Sequence, residues 1–115
     1  MRVCIISGTN NLGKCGISDY IHLLSEKLRN LGHEVSHASV HNLATQNNCI
    51  HNYPNHDLYS LQFAPYAFSS NGVLGNSILK FAKSQGSQKT HINFHEIWIG
   101  AYPKASFKER LTGWR

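Results

Sequence analysis

Two periodicities alternate along this chain, and the points where one gives way to the other divide it into elements. Val3, Cys4, Ile5 and Ile6 form a short unbroken apolar run, the pattern of a strand buried on both faces, and Gly8 opens a glycine-rich loop after it. From Ile17 to Leu31 the period changes to three and four: Ile17, Tyr20, Ile21, Leu24, Leu28 and Leu31 fall on one face of a helix. Ser18, His22, Ser25, Glu26, Lys27, Arg29 and Asn30 fall on the other sides. Gly32 stands where a left-handed C-cap is wanted, and Lys27 and Arg29 complement the negative helix end. Residues 34–40 alternate weakly, and their polar content predicts a second strand nearer the sheet edge. Residues 41–57 are rich in Asn and His without periodicity, a long connection of the kind that is usually functional or mobile.

The second half repeats the alternation of strand and helix. Residues 58–63 predict a third strand, ended by Pro65, and Ile78, Leu79, Phe81 and Ala82 predict a short helix closing near Gly86. Residues 89–94 predict a fourth strand with Thr90, Ile92 and Phe94 on one face, and a further helix begins near Ala105. Strands alternating with helices predict an α/β fold with a mostly parallel sheet. In such a sheet ligands bind in the crevice beyond the carboxyl ends of the strands, so the first loop and the His95-Glu96 pair after the fourth strand are expected to converge there. A doubly wound half normally continues with more strand–helix units, and residues 1–115 are therefore expected to be the front part of something longer.

Composition narrows the classes without choosing among them. A chain of 115 residues with 41% hydrophobic content suits one small globular domain. No run approaches the roughly 20 apolar residues that cross a bilayer, and Met1-Arg2 leads straight into a strand with no signal-peptide core, so a cytoplasmic location is expected. Cys4, Cys15 and Cys49 are odd in number and contain no Cys-x-x-Cys pair, which points to neither a disulfide framework nor a zinc knuckle. Cys4 is expected in the buried strand. Cys15 is either space-filling or a thiol activated by the helix end. The formal charge of +5 favours anionic partners, but the basic residues of the second half are scattered and no aromatic-basic motif accompanies them, so no nucleic-acid partner is expected. The eight histidines are dispersed; His33, His37 and His41 would stand about 13 Å apart along a strand, too far to share one ion, and no metal is expected.

The loop between the first strand and the first helix gathers unpaired backbone N–H groups and a positive dipole end, a place for phosphate; the other explanation is that Gly13 and Gly16 only permit a tight turn and close helix packing. Gly8 to Lys14 has the Gly-x-x-x-x-Gly-Lys spacing of a P-loop, but Cys15 replaces the hydroxyl residue that holds magnesium and Asp57 precedes its strand instead of following it. A P-loop nucleotide-binding protein is thus the incomplete match.

A second set of motifs covers nearly the whole chain. Cys15-Gly16-Ile17-Ser18-Asp19-Tyr20, then Leu31-Gly32-His33-Glu34-Val35, Gln62-Phe63-Ala64-Pro65-Tyr66 and Asn93-Phe94-His95-Glu96-Ile97-Trp98, in this order, resemble the N-terminal domain of GT-B glycosyltransferases of family 4, the glycosyltransferase group 1 enzymes. The resemblance implies a Rossmann-like three-layer domain, the acceptor-side half of a retaining enzyme whose donor-binding second domain is absent from these residues. It implies a nucleotide-sugar donor as co-substrate, a sugar, lipid or other small-molecule acceptor, no metal cofactor, and room for peripheral membrane association. It places Gly16 at the donor diphosphate with Gly13 shaping the approach and Lys14 adding charge. His95 would steady the reacting sugar, and Glu96 would orient His95 or hold an acceptor hydroxyl. Asp19 and Tyr20 would lie on the acceptor side. By itself this half is expected to bind little donor and turn over none. A non-enzymatic alternative is a docking domain that uses an apolar surface near Phe107, Leu111 and Trp114.

Overall fold

The computed structural model describes residues 1–8, 16–40, 56–68, 77–84, 89–95, 103–107 and 110. They form a small α/β fold around a four-stranded, all-parallel sheet. The elements in chain order are β1 (Arg2–Ser7), α1 (Gly16–Asn30), β2 (Glu34–Ser39), β3 (Leu58–Phe63), α2 (Pro65–Phe68), α3 (Ser77–Ser84) and β4 (Thr90–Phe94). The strand order is β2-β1-β3-β4, so β1, the most apolar strand, is interior and β2, the most polar, is at an edge as its composition predicts. The order reverses between β1 and β3, which makes the carboxyl ends of these two strands a topological switch point.

Each face of the sheet has its own apolar cluster. Val3 and Ile5 of β1 pack with Ile21 of α1, and Ile17, Leu24, Leu28, Val35 and Leu58 lie against them. On the opposite face Cys4, Ile6, Ala38, Tyr59, Leu61 and Phe63 meet Phe68 of α2 and Phe81 of α3. Helices therefore cover both faces. Ile5, Ile6 and Leu61 are fully buried, each contributing about 1.5–3 kcal/mol by removal from water. Phe63 and Phe68 stack with centroids 5.8 Å apart, which fixes α2 directly beyond the end of β3. Pro65 opens that short helix, a position that tolerates its missing N–H.

Helix α1 ends as its sequence predicts. Gly32 has φ +84°, the Gly32 N–H donates to the Arg29 carbonyl at 2.9 Å, and the His33 N–H donates to the Leu28 carbonyl at 3.1 Å. That pair of bonds is a Schellman motif, and it turns the chain directly into β2. Two features of the helix differ from the amphipathic pattern. Ser25, assigned by periodicity to a solvent side, is 6% exposed, while Tyr20 and Leu31, assigned to the apolar face, are 41% and 73% exposed. The physical reason is the width of the sheet beneath: β2 extends under the Ser25 flank, Tyr20 overhangs the other flank, and Leu31 lies past the last helical residue.

Residues 41–55 of the long 41–57 connection, which include Cys49, and Cys15 lie outside the described residues. Cys4 is fully buried in β1, and that burial pushes its thiol pKa up, as expected of an inert strand cysteine. Near the end of the described chain the Arg110 N–H donates to the Ser106 carbonyl at 3.0 Å and its guanidinium to the Pro103 carbonyl at 3.2 Å; most of the helix expected from Ala105 lies outside the described residues. Among the described residues no helix is long and apolar enough to cross a membrane.

Candidate functional site

Because all four strands are parallel, their carboxyl ends share one edge, and the residues after β1 and β4 must emerge on it. The His95 N–H donates to the Phe63 carbonyl at 2.9 Å, extending the β3–β4 ladder by one residue. With Gln62 paired to Asn93 in register, Ser60, Gln62, His91, Asn93 and His95 all stand on the α1 side of the sheet. Polar residues at alternate positions of two neighbouring strands are thereby assembled into one patch under the flank of a helix.

Gln62 is the centre of that patch and is 1% exposed. Its amide nitrogen donates to Ser60 Oγ at 2.9 Å, and its Oε1 lies 3.1 Å from Asn93 Nδ2 and 2.9 Å from His95 Nε2. An amide oxygen only accepts, so His95 carries its proton on Nε2 and donates it to Gln62. Ser60 Oγ is in turn 3.0 Å from His91 Nδ1. The imidazole of His95 is thus held in one tautomer and one plane by a buried side chain, the arrangement by which proteins orient a functional histidine.

From the other side α1 reaches the same point. The Tyr20 ring meets the His95 ring edge to face, with centroids 5.1 Å apart and an interplanar angle of 72°, and Asn93 Nδ2 donates to the Tyr20 hydroxyl at 3.4 Å. Tyr20 is one helical turn from Gly16, the first residue of α1, and Asp19 lies in that first turn, where its charge suits the positive helix end. The first helix and the end of the fourth strand, 75 residues apart in sequence at Tyr20 and His95, therefore converge as the topology requires.

The glycines around the first loop differ in role. A Cβ on Gly8 would fall on the Ala67 carbonyl oxygen and within 2.5 Å of the Ala67 carbonyl carbon and Cβ, so Gly8 is required by the close approach of α2 to the end of β1. Among the described residues a Cβ on Gly16 would meet nothing within 4 Å. Packing against the described residues therefore does not explain Gly16. Gly13, Lys14 and Glu96, the remaining sequence-derived candidates, lie outside the described residues, as do Leu111 and Trp114; Phe107 is 82% exposed.

Gln62, Asn93 and Ser60 are the members that sequence reasoning did not assign a role. Their signal was present as two-residue alternation, Ser60 and Gln62 between Tyr59, Leu61 and Phe63, and Asn93 between Ile92 and Phe94. It could not be separated from an ordinary solvent-facing side without knowing that β3 and β4 pair and that α1 overhangs them. Comparisons of the chain with protein-family models, with curated proteins and with solved structures return no match.

Proposed function

We propose that this chain is the acceptor-side, Rossmann-like half of a retaining GT-B glycosyltransferase, acting on a nucleotide-sugar donor together with a second, donor-binding domain. The observation that carries the proposal is the contact of Tyr20 with His95 at the carboxyl edge of the sheet, beside the switch point between β1 and β3. Transfer from a nucleotide sugar passes through an oxocarbenium-like state with a departing diphosphate. It needs positive potential at the phosphates and fixed hydrogen-bonding groups around the sugar. The start of α1 at Gly16, with Gly13 and Lys14 before it, supplies the first; His95, oriented by Gln62, supplies the second. Glu96, next in the chain after His95, is the group that holds an acceptor hydroxyl or orients the imidazole, and Asp19 and Tyr20 close the acceptor side. A lipid acceptor would bring the protein to a membrane surface.

The test is turnover of a panel of nucleotide sugars by the protein as encoded, monitored by release of nucleoside diphosphate. His95→Ala is expected to lower kcat by about 100-fold or more, the scale of a lost positioned imidazole, while leaving donor affinity within about threefold. Unchanged kcat removes His95 from the site. Magnesium-dependent ATP or GTP binding that Lys14→Ala abolishes would replace sugar transfer with the P-loop function.

A further inference from the structure

On the flank of α1 away from His95 lies a cavity of about 310 Å³, at the lower end of the sizes that hold small molecules. Its helix wall is a single stripe, Ser18, His22, Ser25 and Arg29, spaced i, i+4, i+7 and i+11. Its strand wall is Ser7 with His37 and Ser39, which alternate along β2 onto the α1 side, and Ile21 lies at its base.

The chemistry of this lining is one-sided. Among the described residues it holds an arginine, two histidines and four hydroxyls, and none of the described residues that line it is a carboxylate; Glu26, on the same helix between His22 and Arg29, does not line it. Arg29 donates from Nη2 to the Val35 carbonyl at 3.0 Å, which anchors the guanidinium against β2 while its remaining donors pair with no carboxylate among the described residues. Ser7 donates to the Gly8 carbonyl at 3.1 Å and therefore accepts from His37 Nε2 at 2.9 Å, so these two groups are satisfied within the protein. Ser25 is different. Its residue is 6% exposed, and among the described residues its hydroxyl takes no hydrogen-bond partner, although buried hydroxyls normally have one.

From the unpartnered Ser25 hydroxyl beside an anchored, unpaired guanidinium we infer that this cavity binds a small phosphate monoester carrying further hydroxyls. Arg29 with Ser25, one helical turn away on the same stripe, takes the phosphate, and His22, Ser18 and Ser39 lie toward the hydroxylated part. Arginine's planar fork matches phosphate oxygens in pairs, and the serines match a polyol as both donors and acceptors. Its residues line the flank of α1 opposite the His95 cleft, although Gly8 and Ser18 flank the loop to which the sugar-transfer proposal assigns the donor phosphates; shifts at Ser25 and Arg29, well down the helix from Gly16, distinguish the two.

The experiment is an NMR titration of the isotopically labelled chain with inorganic phosphate, glycerol 3-phosphate and glycerol. Saturable shifts are expected at Ser25, Arg29 Nε and His37 with glycerol 3-phosphate, weaker ones with phosphate and none with glycerol. Equal response to phosphate and glycerol 3-phosphate would overturn the monoester assignment. Arg29→Gln should weaken binding about tenfold or more, the loss expected of a charge-assisted hydrogen bond, while Lys80→Gln on the opposite face removes the same charge without effect. If Arg29→Gln does not fold, Arg29→Lys keeps the charge and loses the fork, and should still bind several-fold more weakly. No saturable shift at about 10 mM ligand, shifts mapping elsewhere, or equal losses in Arg29→Gln and Lys80→Gln overturn the inference.

Discussion

Gln62 shows how much a single side chain settles at the residue scale. Buried at 1% exposure, it uses its donor on Ser60 and its acceptor on both Asn93 and His95, so removing it takes one hydrogen bond from each of three polar groups. Gln62→Leu keeps the volume and deletes the partners. It is expected to destabilise the protein by about 1 kcal/mol, measured by urea unfolding, because three hydrogen bonds around a buried side chain are lost while the half-buried Asn93 and His95 regain some water. The same variant should release the His95 proton from Nε2, visible in the nitrogen shifts of the ring; an unchanged tautomer would show that Gln62 does not set it. His95 itself was legible in the sequence as the residue after a strand. Gln62 was not, because a polar residue in a strand carries no mark of which neighbour will cover it.

At the scale of elements, the loop after β1 separates two kinds of glycine that the sequence presents alike. Gly8 is pressed against the Ala67 backbone by α2, whereas Gly16 meets none of the described residues. Gly8→Ala is therefore expected to cost about 1–3 kcal/mol, the range for forcing extra volume into a packed site, in urea unfolding. Gly16→Ala in the first turn of α1 should be neutral or stabilise by up to about 1 kcal/mol, since it reduces the freedom of the unfolded chain without a clash. Comparable destabilisation by both would mean that Gly16 also serves packing. The elements themselves were largely legible: β3 spans the residues that its pattern predicts, and the Gly32 cap lies where α1 runs out of apolar periodicity. The four-residue α2 was not foreseen, because Pro65 signals the end of a strand without specifying the element that comes after it.

For the whole molecule, acid is expected to weaken the fold in two steps, one set by a histidine within β2 and one by a carboxylate just before β3. Burial holds the His37 pKa below the ordinary value of 6.5. Asp57 is held below 3.8 chiefly by the hydrogen bond from the Arg2 backbone N–H, at 2.6 Å. In both cases the unfolded chain takes up its proton at a higher pH than the folded one, so the sign is the same. Stability is full above the ordinary value and declines as pH falls from it through the depressed one. Melting temperatures between about pH 8 and pH 3 should fall first below 6.5 and again below 3.8, and His37→Gln should remove the upper step. A melting temperature that is flat across the upper window would count against a neutral His37 in the folded state. The sequence by itself determined the alternation of strands and helices, the interior place of β1, the edge place of β2 and the cap at Gly32, because these arise from local periodicity and backbone preference. Only the tertiary structure decided that Ser25 is buried, that Gly8 and not Gly16 is pressed by packing, and that Tyr20, Gln62 and His95 meet. Those outcomes depend on which strands pair and which helix flank lies over them, and both are fixed by contacts between residues far apart in the chain.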